Sequence, residues 1–321
     1  MTPLLKVQSL KKFFPVYGGI FSRPVGQVKA VNDVSFEIAR GETLGLVGES
    51  GCGKTTAGRL TIRLLEPTAG TVFFDGIPIS RLKEKELNLV RPRMQIIFQD
   101  PYSSLNPRFT VERIISEAML IHGKATRQDV KEKTGALMER AGLSPKYMKR
   151  YPHEFSGGQR QRIGIARALA LNPEYIVCDE PVSALDVSIQ AQIVNLLQKL
   201  QEDYNLSMLF ISHDLNLVKY LAGKIAVMYL GRLVEIAPTS VLSRESAHPY
   251  TQALMASNPI PDPKKRRKRL VLGGDVPSPL KPPSGCHFHP RCPEVMDHCR
   301  TRAPKPVALG KDHIVECHLY D

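Results

Sequence analysis

The chain has 321 residues, 42% apolar and 23% charged, with a formal net charge of +13. That length holds one large domain with an appendage, or two domains, and that apolar share fills a core. No apolar run reaches the roughly 18 residues of a membrane span, and the start Met1-Thr2-Pro3-Leu4-Leu5-Lys6 lacks the basic and apolar regions of a secretory leader, so a cytoplasmic protein is expected.

In chain order, residues 4–40 read as short strands around a loop, with Leu5-Lys6-Val7 and residues 28–38 as the strands and Tyr17 to Phe21 turn-like. The apolar run Thr43-Leu44-Gly45-Leu46-Val47 reads as a buried strand, followed by a helix over 57–65. Residues 70–74 form a strand closed by Asp75-Gly76, and Ser80 is expected to cap a helix over 80–89. Met94-Gln95-Ile96-Ile97-Phe98 is the next strand. Residues 103–172 change character and read as a helical insertion, with helices over 111–121, 127–141 and 158–171. Strand–helix alternation then resumes: strands 175–178, 207–211 and 224–230, helices 188–201 and 214–221. Fully apolar strands alternating with helices argue for a mostly parallel sheet covered on both faces.

From Pro238 the texture is irregular and proline-rich. The run Lys264-Lys265-Arg266-Arg267-Lys268-Arg269 reads as a solvated linker, with anionic lipid headgroups as the sharper alternative. No aromatic residues interleave it to stack bases, which argues against nucleic acid. Four of the six cysteines, Cys286, Cys292, Cys299 and Cys317, crowd the tail with spacing C-x5-C-x6-C-x17-C. In a cytosolic chain this points to metal rather than disulfides. The pattern lacks the tight pairs of zinc sites and leans to iron–sulfur. His287, His289, His298, His313 and His318 keep a mixed Cys/His zinc site open.

Three stretches carry chemistry. Gly48-Glu49-Ser50-Gly51-Cys52-Gly53-Lys54-Thr55-Thr56, between strand and helix, is a phosphate cradle: glycines let backbone N–H groups close on phosphate oxygens, Lys54 adds a point charge, and Thr55 can hold Mg2+. Asp179, at the end of an apolar strand, is placed to hold Mg2+ through water, and Glu180 to act as general base. Phe155-Ser156-Gly157-Gly158-Gln159 at a helix start is a second phosphate-binding terminus, which makes sense if it serves another chain's nucleotide.

Together these motifs resemble the ATP-binding cassette (ABC) ATPases. The resemblance makes Gln99 the Q-loop glutamine, which senses Mg2+ and the attacking water. It also makes Ser183-Ala184-Leu185-Asp186 the D-loop and His213 of Ser212-His213-Asp214 the switch histidine at the γ-phosphate. It implies a P-loop NTPase core with a mostly parallel sheet, an antiparallel β subdomain and a helical subdomain near 103–172. Residues 1–237 are then the nucleotide-binding domain and 238–321 a small irregular Cys-rich one. Adenine usually stacks on an aromatic residue near the first hairpin. Val25-Gly26 stands there, leaving Tyr17 or Phe21.

Phe98-Gln99-Asp100-Pro101-Tyr102-Ser103-Ser104-Leu105-Asn106-Pro107-Arg108, His248-Pro249-Tyr250-Thr251-Gln252-Ala253-Leu254 and Gly285-Cys286-His287-Phe288-His289-Pro290-Arg291-Cys292-Pro293 resemble the dipeptide and oligopeptide permease ATPases. That resemblance implies ATP-driven peptide import from the cytoplasmic face of the membrane. Its partners would be a second ABC ATPase subunit in a heterodimer, two transmembrane permease subunits and an extracytoplasmic peptide-binding protein. A [4Fe–4S] cluster would sit on Cys286, Cys292, Cys299 and Cys317, with Zn2+ as the alternative. An importer for another solute such as nickel or glycosides, or a soluble ABC ATPase acting on nucleic acid or ribosomes, are the competing readings.

Overall fold

The structure is a computed structural model that describes residues 2–18, 23–257 and 273–321. Phe21 and the basic run 264–269 lie outside the described residues. The elements in chain order are β1 (Leu5–Gly18), β2 (Arg23–Ile38), β3 (Thr43–Val47), α1 (Lys54–Thr61), β4 (Ala69–Phe74), β5 (Ile77–Pro78), α2 (Glu84–Val90), β6 (Met94–Ile97), α3 (Pro101–Ser104), α4 (Val111–Ile121), α5 (Val130–Arg140), α6 (Gly157–Leu169), β7 (Tyr175–Asp179), α7 (Val187–Tyr204), β8 (Ser207–Ile211), α8 (Leu215–Leu221), β9 (Lys224–Tyr229), β10 (Arg232–Pro238), α9 (Thr239–Glu245), α10 (Pro249–Ser257), β11 (Pro306–Gly310) and β12 (His313–Glu316). Among the described residues, no helix is long and apolar enough to cross a membrane.

The chain divides into two compact units. The first comprises residues 1–38, 43–81 and 212–321, the second residues 39–42 and 82–211. In the first, β2, β1, β4 and β5 make an antiparallel sheet. The hairpin β1–β2 runs far longer than the short strands expected, pairing from Leu5–Ile38 to Gly18–Arg23. The same unit carries β3 paired parallel to β9, whose other edge continues antiparallel through β10, β12 and β11. All five residues of β3 are buried, as a strand covered on both faces must be.

The second unit holds the parallel strands β8, β7 and β6 and the expected helical insertion, α3 to α6. Ile163, Ile165, Ala166 and Leu169 of α6 are all buried, the face their helical period assigns. Glu174 draws Arg40 (2.7 Å) and Arg93 (2.5 Å) together, and these pairs hold its carboxyl below the usual range.

Two expectations change. Ser80 does not cap a helix: its Oγ accepts from Val72 N at 3.2 Å, on the edge of β4. The helix starts later, at Glu84, where the Glu86 carboxylate accepts from Lys83 N at 2.9 Å. The tail is also more regular than its prolines imply. Residues 273–305 do hold only short 3-10 turns, but α9 and α10 precede them, and β12 pairs with β10 at Glu235–Val315 and Ile236–Ile314. The sheet therefore runs across the texture break at Pro238.

Candidate functional site

The phosphate loop turns out of β3 into α1, whose first residue is Lys54. Its shape is dictated by close approach. A Cβ on Gly53 (φ +109°) would sit 2.0 Å from Ala30 O, and one on Gly48 would sit 2.1 Å from Met228 O. Gly231 N donates to Cys52 O at 2.9 Å and ties the loop to the turn after β9. Lys54 is 5% exposed, with Nζ donating to Gly48 O (2.8 Å) and Glu49 O (3.0 Å). An ammonium held against the loop's carbonyls at a helix start suits a polyphosphate. Thr55 and Thr56 occupy the first turn, half-buried, while Ser50 and Gly51 are exposed at the tip. Burial pushes the Cys52 thiol up, which suits packing rather than reactivity.

The loop has partners that motif reading missed. Glu49 N donates to Tyr250 Oη at 3.0 Å, and the Glu49 carboxylate takes both terminal nitrogens of Arg291 at 2.8 and 3.1 Å. That contact, chiefly its hydrogen bonds to Glu49, pushes the Arg291 guanidinium further up. Tyr250 and Arg291 both fall inside the tail stretches that resemble peptide permease ATPases, which was the available signal. His213, in the same unit, is exposed just beyond Ser212, whose N donates to Leu46 O at 3.3 Å. Asp214 caps α8. Tyr17 is 61% exposed near the end of β1.

The second unit brings Gln99 and Glu180 together: Gln99 Nε2 donates to Glu180 Oε2 at 3.1 Å. Glu180 has a left-handed backbone (φ +44°), the kind of conformation that clusters at functional sites. It is held by Glu180 N to Ile211 O (3.1 Å) and by Ser183 Oγ to Glu180 O (3.1 Å). Asp179 is 1% exposed at the end of β7. Ser156 caps α6 in a reciprocal box: Gln159 N donates to Ser156 Oγ (3.4 Å) and Ser156 N to Gln159 Oε1 (3.0 Å). This leaves Ser156 and Gly157 exposed at a helix N-terminus. A Cβ on Gly158 would strike Ile189 at 2.5 Å, so the turn also needs glycine for packing. Asp186 is exposed at the start of α7.

In the tail, Cys286 N donates to Cys299 O at 2.8 Å. Burial first, with smaller contributions from Cys299 and Cys317, pushes Cys286 and Cys292 up to about 11. Among the described residues, one group of three ligating side chains brings one ligand atom from each within 4.8 Å of the others: His298, Cys299 and His318. Both ring nitrogens of His318 are already engaged, Nδ1 with Asp321 Oδ2 (2.5 Å) and Nε2 with Arg302 O (2.8 Å).

Burial alone drives the His248 imidazole down to about 3, and its Nδ1 accepts from Tyr250 N at 3.0 Å. The folded value lies below the unfolded 6.5, so the unfolded chain binds the extra proton as pH falls through 6.5. Stability is therefore complete above that pH and declines below it. The packing of α10 is expected to be about 2 kcal/mol weaker at pH 5 than at pH 8, and His248→Gln to flatten that slope. Hydrogen exchange of the α10 amides against pH checks both.

A glycine-rich loop between a buried parallel strand and a lysine-led helix defines a P-loop nucleotide-binding fold. Residues 31–183 match the family described as "ABC transporter", and residues 234–299 match "Oligopeptide/dipeptide transporter, C-terminal region". Similar proteins include the oligopeptide transport ATP-binding protein AppF of Bacillus subtilis (strain 168), 52% identical over 99% of this chain and 97% of that one. Another is the probable peptide ABC transporter ATP-binding protein y4tS of Sinorhizobium fredii, 52% identical over 98% of this chain and 90% of that one. Among solved structures, the dimeric post-hydrolysis state of the ATP-binding cassette MJ0796 with ADP and Pi superposes with a TM-score of 0.66 at 27% identity, covering 73% of this chain and 98% of that one. The chain belongs to the ABC transporter family, as one of its ATP-hydrolysing cassettes.

Proposed function

We propose that this chain powers import of di- or oligopeptides from the cytoplasmic face of the membrane, as the ATPase subunit of an ABC transporter. The observation that carries the reading is near full-length likeness to proteins named for peptide transport, tail included. In this reading the loop 48–56 takes the triphosphate, with Lys54 on its outer phosphates. Thr55, Gln99 and Asp179 are hard oxygen donors of the kind Mg2+ takes, and the ion would neutralise charge on the phosphates. Glu180, with its carboxylate held by Gln99, is the base that draws the proton from the attacking water. His213 contacts the γ-phosphate, and Tyr17 offers its exposed ring to adenine. Ser156, Gly157, Gly158 and Gln159 serve the nucleotide of a second ATPase subunit, a different chain, with Asp186 at the same interface. Two membrane-spanning subunits and an external peptide-binding protein complete the assembly.

In this reading the tail cysteines hold a [4Fe–4S] cluster, with a single zinc as the alternative. Four thiolates on one tetrahedral Zn2+ would stand about 3.8 Å apart. Among the described residues, no three of these four thiols lie within 4.8 Å of one another. Cys286, Cys292, Cys299 and Cys317 would hold the cluster, whose contribution is to cross-link the tail. Anaerobic purification from membranes is expected to bring down two membrane-spanning subunits and a second cassette. The complex should show peptide-stimulated ATP hydrolysis and contain iron and acid-labile sulfide in equal amounts. Co-purification with nucleic acid instead would overturn the transport reading, and stoichiometric zinc without iron would overturn the cluster.

A further inference from the structure

Glu49 of the phosphate loop is held at every polar group it has. Its carboxylate takes the Arg291 fork, its N–H donates to Tyr250, and its carbonyl accepts from Lys54 Nζ and, at 3.3 Å, from Cys52 N. Arg291 and Tyr250 lie 242 and 201 residues further on, in the C-terminal extension. The Arg291 side chain is 7% exposed and that of Glu49 28%, so the pair is far less hydrated than an ordinary surface bridge. A bidentate fork also fixes orientation, which a point charge does not. Tyr250 is wholly buried against the rings of Tyr229 (4.7 Å between centroids) and Phe288 (5.4 Å), so its hydroxyl cannot follow a loop that moves.

The cysteine segment in turn sets Arg291. Arg291 ends the short turn His289–Arg291. His289 N donates to Cys286 O (3.1 Å), Arg291 N to Phe288 O (3.0 Å) and Cys292 N to His289 O (3.4 Å). Cys286 and Cys292 therefore bracket the turn that aims the guanidinium. Phe288, the residue just before it, packs into the ring cluster that holds Tyr250.

We propose that Arg291, with Tyr250, is a positioning residue for nucleotide binding, and that it makes ATP affinity depend on the fold of the four-cysteine segment. The inference rests on residues 48–56 being the triphosphate cradle. A loop pinned at Glu49 presents its N–H groups already ordered, so binding does not have to order them. Releasing Glu49 leaves the cradle's donors in place and removes their preorganisation. The ATP KM should rise while kcat stays near its starting value.

The test titrates the full chain with Mg-ATP at equilibrium. Arg291→Gln and Glu49→Gln are each expected to weaken binding about tenfold, an ordinary coupling between sites. The double variant should lose no more than the worse single one, because both remove the same pair. Arg291→Lys should fall between, keeping charge without the fork. Cys292→Ser should weaken ATP binding in the otherwise unchanged chain and have no further effect beside Arg291→Gln. Wild-type affinity in Arg291→Gln, additive losses in the double variant, or an equal effect of Cys292→Ser in both backgrounds would each overturn the proposal. Lys54→Ala separates the two levels. If it binds ATP normally, the cradle reading fails; if it loses ATP while Arg291→Gln retains it, only the coupling fails. Should Arg291→Gln not fold, Glu49→Gln with its thermal midpoint carries the same comparison.

Discussion

Glu180→Gln is expected to retain ATP binding and lose turnover by about 10²- to 10⁴-fold, the usual worth of a positioned general base. The change is nearly isosteric. The new amide oxygen still accepts from Gln99 Nε2, and the ties to Ile211 O and from Ser183 Oγ involve only the backbone of residue 180. What disappears is the ability to take a proton. The loop's hydrogen bonds through Lys54, Tyr250 and Arg291 stay in place, so affinity should hold. Paired measurements of steady-state hydrolysis in the assembled transporter and of equilibrium ATP binding check both halves. Near-normal hydrolysis removes Glu180 from the role of base. A parallel loss of binding would mean that the carboxylate shapes the site rather than reacting in it.

The parts legible from the residues alone were those whose chemistry is local. Residues 48–56 announce themselves because a cradle of backbone N–H groups needs glycines at fixed offsets, and two of those glycines stand within about 2 Å of a neighbouring carbonyl once a Cβ is added. The Ser156 cap, the buried run of β7 and the helical period of α6 are local in the same sense. What local pattern could not supply was partner choice at long range. Ser80 has the chemistry of a helix cap, yet its hydroxyl serves the edge of β4, because the fold brings Val72 N to it first. Tyr250 and Arg291 look like an aromatic helix residue and a surface arginine. Only the packing of the tail shows that both grip Glu49. Proline carries no N–H, so the prolines between Pro238 and Pro283 read as a break in the sequence, and they hid that β12 resumes the sheet beyond them.

The residue that makes this return possible is Glu235, and Glu235→Ala is expected to weaken the packing of α10 and β12 by about 3–5 kcal/mol, the usual result of breaking a buried charged network from one side. Its carboxylate is fully enclosed and takes three donors: Ala247 N at 2.7 Å, His248 N at 2.9 Å and His313 Nε2 at 2.9 Å. Truncation leaves two backbone N–H groups and an imidazole buried without an acceptor, each costing about 1–3 kcal/mol. The damage should travel along the chain. His248 positions Tyr250 N, and Tyr250 holds Glu49, so an α10 that opens more often also loosens the phosphate loop. Glu235→Gln should be milder, since one amide oxygen can replace part of the acceptor set while the NH2 faces donors. Hydrogen exchange resolves this residue by residue: amides of α10 and β12 should lose protection together, those of α6 should not, and ATP affinity should fall with them. Unchanged protection of α10 in Glu235→Ala would show that the aromatic packing of Tyr229, Tyr250 and Phe288 holds the helix by itself.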